Sequence, residues 1–559
     1  MPQAAHHHKE KIMAAIRPAI AVTIIAAAVL AACSRPAAPS YTAPAQEAAQ
    51  ASKSQAMDAA YTGTARVRMA VMPSPPVSAE IALPLQNTEQ YGQISTNPVH
   101  AVAQQPVSTF SIDVDTGSYA NSRRFLNNGR LPPVNAVRVE ELINYFDYSY
   151  PLPQGRAPFA VLTDTVDSPW QPHAKIIKIG IKAQDLALKE LPPANLVFLV
   201  DVSGSMNAPD KLPLVKQTLR LLTEQLRAQD KVTLITYASG EKLVLPPTSG
   251  SQKQSILRAI NGLQAGGATA GEQAIQLAYQ EAEKAHIKNG INRILLATDG
   301  DFNVGITDFD TLKGMVAEKR KAGISLTTLG FGTGNYNERL MEQLVDAGDG
   351  NYSYIDNPNE AKKVLQRQLS STLATVAQDV KIQVEFNPAT VKEYRLVGYE
   401  NRLLKQEDFN NDNVDAGDIG AGHSVTALYE IIPAGQPGWL GESRYRPAAP
   451  AADSKAGEYA HVNLRYKLPG KSASILISQP VAASSKPLAQ ADADTRFAIA
   501  VAAYGQQLRG GQYNGKMSWN DIIRLARQAD KPDPYGLRSE FIELAKIAQS
   551  LSAGAASGE

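Results

Sequence analysis

Short runs of apolar residues alternate with amphipathic stretches through the middle of the chain. The run at residues 196–200 is too short for a helix and contains β-branched residues, which predicts a strand buried on both faces, as in a parallel sheet. Between residues 191 and 377, such strands alternate with helical patterns. The predicted strands are 195–201, 231–238, 241–246, 293–298, 325–331 and 351–355, and the predicted helices are 211–227, 271–286, 309–322, 337–346 and 359–376. The alternation indicates an α/β fold with a doubly wound, mostly parallel sheet and one antiparallel edge pair.

The pattern has a period of two on both sides of this α/β domain. Residues 159–166 and 176–181 indicate two strands before it. Five strand-like stretches separated by turn residues follow it: VKIQVEF, YRLVGYE, HSVTALYEI, AHVNLRYKL and SASILISQP. We therefore predict that strands from both sides form one sheet or sandwich, so that the α/β domain is inserted in a β-rich domain.

Accessory helices are predicted near both ends of the folded region. A strand near residue 110 leads into a helical stretch that stops at Gly129, and residues 137–151 form an amphipathic pattern. Residues 492–509 and 519–550 indicate two more helices, which would cap the β-rich domain. Nothing nearby completes a metal or acid/base set with Asp113 and Asp115. We expect both carboxylates on the exposed face of a strand or at the cap of the next turn.

The N-terminal residues have the pattern of a signal peptide. Lys9, Lys11 and Arg17 precede an apolar run at residues 19–32, which is too short to span a bilayer. The run ends in Leu-Ala-Ala-Cys, which resembles a bacterial lipobox and implies lipidation of Cys33. Because Cys33 is the only cysteine, the sequence offers no internal disulfide.

The same region bears on the start codon and on the cellular location of the protein. Met13 is an alternative start to Met1. Ser34 follows the lipidated cysteine, which resembles outer-membrane sorting if the cell is Gram-negative, so we expect a protein of the bacterial cell envelope with a lipid anchor in the membrane.

Composition divides the rest of the chain. Residues 34–105 are rich in Ala, Pro and Gln and lack a sustained period, which indicates a flexible tether. The predicted organisation is a signal peptide at 1–33, the tether at 34–105, an N-terminal segment at 106–190, the α/β domain at 191–377, the β-rich domain at 378–485 and C-terminal helices at 486–552. Lys and Arg total 55 against 54 Asp and Glu, so no basic block favours a nucleic-acid partner.

Candidate chemistry lies directly after the first strand of the α/β domain. Asp201, Ser203 and Ser205 follow that strand, and open α/β sheets bind their ligands at the carboxyl ends of the strands. Gly204 allows the turn that brings the two hydroxyls together. A site made only of oxygen donors selects a hard cation such as Mg²⁺.

Two later stretches extend this site. AGGATAGE contains Thr269, and RILLATDG is a second buried strand that ends at Asp299. In the order DxSxS, GGxTxG and TDG, the three stretches resemble the metal-ion-dependent adhesion site of von Willebrand factor A domains. The resemblance implies that Ser203, Ser205 and Thr269 hold the cation directly, and that Asp201 and Asp299 hold it mostly through water. Mg²⁺ is the expected cation, with Mn²⁺ and Ca²⁺ as alternatives.

A second resemblance covers most of the remaining chain. The stretch FSIDVDTGSYANSRRFL at residues 110–126 resembles the segment that precedes the A domain in bacterial lipoproteins of the YfbK type, and the likeness continues to about residue 551. The group is recognised mainly by its architecture, so this resemblance supports the fold more than the function.

The site is compatible with two functions. The family resemblance implies a binding module, in which an exposed Asp or Glu of a protein partner completes the coordination of the cation. An enzyme would use Ser203 or Ser205 as nucleophile, or a metal-activated water. No histidine lies near the DxSxS loop to act as the base, so we predict binding rather than catalysis. A structural envelope scaffold with an unused metal site is the alternative, and a metal-assisted hydrolase ranks below it. The sequence leaves the partner and the oligomeric state open.

Two other motifs are assigned to connections. Gly330 to Gly334, GFGTG, lacks the GxGxxG spacing and follows the fifth strand of the domain, so it predicts a turn rather than a dinucleotide loop. DFNNDNVDAGD at residues 408–418 lacks the register and the closing Glu of a calcium loop. We interpret it as a solvated hairpin loop.

Overall fold

The computed structural model describes residues 88–112, 115–269, 271–300, 309–367, 371, 373–441 and 455–556. All of them fall in one compact unit, Ile81–Glu559. The predicted signal peptide, the predicted lipidation site Cys33, the tether up to residue 87, and Asp113 lie outside the described residues. In the described part of the chain, no helix is both long and apolar enough to cross a bilayer.

The helices are α1 (Gly117–Asn127), α2 (Val139–Asn144), α3 (Leu212–Gln225), α4 (Lys253–Asn261), α5 (Glu272–Lys284), α6 (Phe309–Lys321), α7 (Glu338–Ala347), α8 (Pro358–Lys362), α9 (Ala493–Leu508), α10 (Trp519–Gln528) and α11 (Leu537–Ala556). The strands are β1 (His100–Ala101), β2 (Val107–Ser111), β3 (Phe159–Asp167), β4 (Lys175–Ala183), β5 (Ala194–Asp201), β6 (Lys231–Tyr237), β7 (Glu241–Ser249), β8 (Ile291–Thr298), β9 (Ser325–Phe331), β10 (Tyr352–Ile355), β11 (Thr375–Phe386), β12 (Val391–Val397), β13 (Gly417–Gly420), β14 (Ser424–Pro433), β15 (Glu458–Lys467) and β16 (Ser474–Ala482).

The inserted α/β domain is built on a six-stranded sheet of order β10-β9-β8-β5-β6-β7. Neighbouring strands are parallel except for β6 and β7, which form the predicted antiparallel edge pair. Leu196 and Phe198 of β5 pack against α3, α4 and α8, whereas Val197 and Leu199 pack against α5, α6 and α7. The continuous apolar run of β5 is therefore explained by helices on both faces of the sheet.

A two-sheet sandwich holds this domain. One sheet has the order β1-β12-β14-β4-β3, and the other has the order β13-β11-β15-β16, with β2 also paired to β11. Strand β4 precedes the inserted domain and pairs antiparallel with β14, which follows it. This pairing confirms the predicted insertion. Apolar residues of both sheets form a common core, for example Ile179, Tyr429, Val384 and Leu464.

The accessory helices cover the outer face of the first sheet. Val166, Ile176 and Leu428 of that sheet share a second core with Ile143 of α2 and Phe497 of α9. Helix α1 contributes Tyr119 and Leu126 to this core and also packs against the inserted domain, where it contacts α7 and β10. The helices near the N-terminus thus connect the sandwich to the inserted domain.

The structure corrects the predicted end of the tether. Residues 88–105 are not a linker, because Gln90 forms a bridge with Asn337 of the inserted domain and β1 pairs with β12. Their low apolar content gave no periodic signal, since these residues are held mainly by backbone and polar contacts.

Several predicted helices differ in length. Helix α2 covers only part of residues 137–151, and the buried Tyr145, Phe146 and Tyr148 follow it. Residues 519–550 form two helices, since Pro532 and Pro534 lie in the interruption between α10 and α11.

Two further differences concern the inserted domain. Helix α4 was not predicted, although its Ile256 and Ile260 are buried at helical spacing. The predicted helix 359–376 is wrong at its C-terminal end: a π-helical turn, Lys363–Arg367, follows α8, and β11 already begins at Thr375. Pairing of β11 with β13 and β15 overrides the helical pattern there.

The two predicted connections and the predicted exposed carboxylate have different outcomes. Residues 332–334 form a turn after β9, which confirms that prediction. The loop at residues 408–418 is not a hairpin, because it joins β12 of one sheet to β13 of the other. Asp115 is buried, not exposed: it accepts a hydrogen bond from the N–H of Tyr352 (2.8 Å) and pairs with Arg402 (3.1 Å).

Candidate metal centre

The loop after β5 gathers three of the predicted site residues. The buried Asp201 ends the strand, and its Oδ1 accepts a hydrogen bond from the N–H of Ser203 (2.8 Å). The hydroxyls of Ser203 and Ser205 lie 3.1 Å apart. The chain turns here because a short 3₁₀ helix, Gly204–Asn207, starts directly after Ser203. Both hydroxyls are thereby brought to the carboxyl end of β5.

Strand β8 contributes the second carboxylate. Asp299 follows it, is fully buried, and accepts a hydrogen bond from the hydroxyl of Ser205 (2.7 Å). Thr298, the last residue of β8, donates to Oδ2 of Asp201 (3.2 Å) and accepts from the N–H of Gly300 (3.0 Å). Adjacent parallel strands end at the same edge of a sheet, so these polar groups form one connected cluster.

The glycine-rich loop before α5 packs against the same edge. The N–H of Gly204 donates to the carbonyl of Gly267 (2.9 Å), and the N–H of Gly266 donates to the carbonyl of Val202 (2.7 Å). Gly267 has a φ of +89°, and an added Cβ would lie 2.6 Å from the hydroxyl of Ser239. The structure thus brings the loop that carries the buried Thr269 to the loop of Ser203 and Ser205.

Two residues of the cluster were missed by the sequence analysis. The ammonium of the buried Lys211 forms an ion pair with Oδ2 of Asp299 (2.9 Å) and donates to the amide oxygen of Asn335 (2.9 Å). The amide nitrogen of Asn335 donates to the same oxygen of Asp299 (3.0 Å). Asn335 was missed because it belongs to the turn after β9, which lies far from the DxSxS loop in the sequence. The sequence signal that could have identified Lys211 is its position between the DxSxS loop and the first residue of the amphipathic α3.

The electrostatics of the cluster favour added positive charge. Burial, together with the negative charge of Asp299, raises the pKa of Asp201 to about 7, although hydrogen bonds from Ser203 and Thr298 act in the opposite direction. Lys211 supplies one positive charge, and it lies on Asp299 rather than on Asp201. Asp201 therefore has hydrogen-bond donors but the cluster gives it no cationic partner of its own.

The residues present fit a hard divalent cation. Carboxylate and hydroxyl oxygens are the donors that Mg²⁺ accepts, and a cation beside Asp201 would relieve its repulsion with Asp299. Across the described ranges, no three His, Cys, Asp or Glu side chains come together as a metal site. That Asp201, Ser203, Ser205, Thr269 and Asp299 bind a cation stays a prediction.

Family models match three parts of the chain. "Von Willebrand factor" matches residues 85–178, "von Willebrand factor type A domain" matches residues 195–367, and "Uncharacterized protein YfbK, C-terminal" matches residues 371–551. The second match contains the residues of the candidate metal centre. Proteins with a von Willebrand factor type A domain mediate protein interactions, often through a metal.

One relative is similar over most of its length. The chain is 48% identical over 473 residues to the "Uncharacterized protein YfbK" of Escherichia coli, and the match covers 83% of this chain and 82% of that protein. The chain belongs to the YfbK family. It also has 32% identity over 148 residues to an inter-alpha-trypsin inhibitor heavy chain of Bos taurus, a match that covers 25% of this chain and 16% of that protein.

Solved structures give a weaker likeness to this YfbK family member. A von Willebrand factor type A protein from Catenulispora acidiphila has 16% identity and a TM-score of 0.37, and the match covers 66% of this chain and 87% of that chain. A paralog of ArnB, VWA2 from Sulfolobus acidocaldarius, has 14% identity and a TM-score of 0.34, with 71% and 98% covered.

Proposed function

We propose that this protein is a membrane-anchored lipoprotein of the bacterial envelope that binds a protein partner through a divalent cation. The observation that carries the proposal is the connected cluster at the end of β5 and β8. Asp201, Ser203, Ser205 and Asp299 are linked there by hydrogen bonds of 2.7 to 3.2 Å, either directly or through Thr298.

Each residue has a separate part in the proposed site. Ser203, Ser205 and Thr269 would hold the cation directly, and Asp201 and Asp299 would hold it mostly through water, with Mg²⁺ as the expected ion and Mn²⁺ or Ca²⁺ as alternatives. When bound, the cation would hold one carboxylate oxygen of a partner's Asp or Glu. The chain supplies orientation: the N–H of Ser203 fixes the carboxylate of Asp201, and the carboxylate of Asp299 fixes the hydroxyl of Ser205.

Binding is favoured over hydrolysis by the environment of the serines. The hydroxyl of Ser205 donates to a carboxylate that is already paired with Lys211, so Asp299 is poorly placed to act as a general base. The alternative is a structural scaffold with an unused cation site. A wild-type protein whose partner binding does not depend on the cation would favour it.

The proposed site is tested by partner capture from envelope extract. The wild-type protein should retain a defined partner in Mg²⁺ and release it in chelator, because the cation bridges the two proteins. Asp201→Ala should retain none in either buffer. The matched control is Asp210→Ala, which changes a carboxylate of the loop before α3 and should behave as the wild type. Equal capture by Asp201→Ala in Mg²⁺ would contradict the proposal.

The proposed anchor is tested separately. Cys33→Ala should release the protein to the soluble fraction or leave its signal uncleaved, because the acyl chains would be lost. The measurement is membrane fractionation with immunoblotting, and outer-membrane recovery of the wild type tests the sorting inferred from Ser34. A cleaved Cys33→Ala protein that still fractionates with membranes would exclude lipid anchoring.

A further inference from the structure

The first described residues bind directly to the turn after β9. The N–H of Thr88 donates to the carbonyl of Gly334 (2.8 Å), and the N–H of Gln90 donates to the carbonyl of Tyr336 (2.9 Å). The carbonyl of Gln90 accepts from the N–H of Glu338 (3.2 Å). Residues 88–91, which we call the docking segment, therefore form a short parallel pairing with the turn at residues 332–337.

Glu89 fixes the docking segment with its side chain. Its carboxylate accepts the N–H of Gly334 (2.9 Å) and forms a two-pronged ion pair with Arg124 of α1 (2.8 and 3.0 Å). The side chains of Glu89 and Arg124 are 4% and 7% exposed, so water competes little for this pair. The hydroxyl of Tyr91 donates a further hydrogen bond to Glu89 (2.8 Å).

The turn that Glu89 holds also carries a residue of the candidate metal centre. Asn335 follows Gly334 directly, and its amide bridges Asp299 and Lys211. Gly332, at the start of the turn, has a φ of +76°, and an added Cβ would lie 2.4 Å from carbon atoms of Lys211. Contacts therefore run without a gap from the carboxylate of Glu89, through the backbone of the turn, to the carboxylate of Asp299.

We propose that Glu89 is a positioning residue of the cation site. Docking of residues 88–91 sets the turn at 332–337, and Asn335 then holds the carboxylate of Asp299 in the orientation that accepts the cation. The proposal rests on the proposed function, because it assumes that the site binds a cation. Its consequence is regulatory: the chain that enters at residue 88 is coupled to the cation site.

Thermodynamic linkage makes the coupling between docking and cation binding reciprocal. If docking strengthens cation binding, then the cation must strengthen docking by the same factor. Couplings of this kind typically change an affinity about 5- to 150-fold. The same relation predicts that a force or a partner that undocks residues 88–91 lowers cation affinity.

Isothermal titration with Mg²⁺ alone tests the positioning role. Glu89→Gln should weaken Mg²⁺ binding at least about fivefold, because the ion pair that holds the segment is lost. Asn335→Ala should cause a similar loss, and the double variant should bind no more weakly than Asn335→Ala, since both changes act through one contact path. The matched control is Glu400→Gln, which removes an equally buried carboxylate from its ion pair with Arg509 outside this path. Its Mg²⁺ affinity should stay within about twofold of wild type.

Hydrogen exchange provides the reciprocal readout. Saturating Mg²⁺ should slow exchange at the N–H groups of Thr88 and Gln90 in wild type and in Glu400→Gln, but not in Asp201→Ala. Unchanged Mg²⁺ affinity in Glu89→Gln, additive losses in the double variant, or no Mg²⁺ effect on the docking segment would overturn the positioning role. A wild-type protein that fails to bind Mg²⁺ would overturn the proposed function as well, so the two failures are distinguishable.

Discussion

Two of the regions that bury carboxylates in this protein surround them with different partners. At the junction, where α1 and α2 meet the inserted domain, Arg138 pairs with Glu338 (2.9 Å) and Glu342 (2.7 Å). Arg123 similarly pairs with Asp356 and Glu360 (2.5 and 2.7 Å). At the candidate metal centre at the ends of β5 and β8, here called the metal edge, the described residues form an ion pair between Lys211 and Asp299 and none to Asp201.

The difference separates a structural role from a binding role. Arginine offers a planar fork that holds two carboxylates in fixed geometry, so the junction fastens the inserted domain to the rest of the protein. At the metal edge, the donors to Asp201 are a backbone N–H and a hydroxyl, which orient the carboxylate without neutralising it. Each of these four junction carboxylates has an arginine partner, whereas the edge is arranged to gain stability from an added cation.

The largest expected effect is at the junction. Arg138→Ala should lower the free energy of unfolding by about 3 to 5 kcal/mol at pH 8, because Glu338 and Glu342 would be left buried without their cationic partner. Urea unfolding monitored by circular dichroism measures the change. A loss under about 1 kcal/mol would show that the junction does not fasten the two parts.

The next largest effect is the pH dependence of the free energy of unfolding, to which Glu338 of the junction should contribute. Burial, together with the negative charge of Glu342, raises the pKa of Glu338 to about 7, although Arg138 opposes the rise. The native state then keeps a proton that the unfolded chain releases above about pH 4.5, so this group lowers stability as the pH rises from 4.5 to 7, by up to about 3 kcal/mol. Glu338→Gln should remove that part of the slope in urea unfolding at a series of pH values. A slope identical to wild type would contradict the assignment.

At the metal edge, loss of a carboxylate should hardly change the stability of the metal-free protein but should abolish its stabilisation by Mg²⁺. Asp201→Asn should change the metal-free unfolding free energy by under about 1 kcal/mol, since it removes repulsion with Asp299 and keeps a hydrogen-bond acceptor. Mg²⁺ at about 100 times its dissociation constant should stabilise wild type by about 2.7 kcal/mol and should leave Asp201→Asn unchanged. Thermal unfolding with and without Mg²⁺ measures both. An equal Mg²⁺ response in the two proteins would place the cation at another site.

The smallest effect concerns one hydroxyl. Ser205→Ala removes the hydrogen bond to Asp299 (2.7 Å) from an exposed side chain, so the metal-free protein should lose only about 0.5 to 1 kcal/mol. Mg²⁺ affinity should nevertheless fall about tenfold, because a neutral ligand to the cation is lost. Calorimetric titration compares it with Ser251→Ala, an exposed serine beside α4, whose affinity should not change.

Local patterns predicted the layered part of the fold and the order of its polar loops. The apolar run of β5 and the helices on both of its faces follow from residue periodicity. The resemblance to the adhesion site placed Asp299 beside Asp201, and the parallel pairing of β5 with β8 brings the two strand ends to one edge. Period-two stretches on both sides of the inserted domain correctly predicted that strands from both sides share one sheet or sandwich, as β4 and β14 do.

Residues held by distant polar contacts were not predictable in this way. Glu89 lies in a stretch whose composition is that of a linker, and its order depends on Arg124 and on the backbone of Gly334. Asn335 belongs to a turn that the sequence identified only as a turn. The role of each depends on a partner far away in the chain, and neither hydrophobic periodicity nor turn chemistry carries that information.

The insertion has a consequence for how the chain acquires its structure. Lys182 at the end of β4 donates a hydrogen bond to the carbonyl of Gly422, which lies 240 residues further along the chain. During synthesis, which proceeds from the N-terminus, the hairpin of β3 and β4 is present before β14 has been made. Ile177, Ile179 and Ile181 of β4 then have no opposing sheet. An apolar strand with an unpaired edge is prone to aggregate. Assembly of the sandwich must therefore wait for the inserted domain, and a chaperone that shields the early hairpin should raise the yield of folded protein.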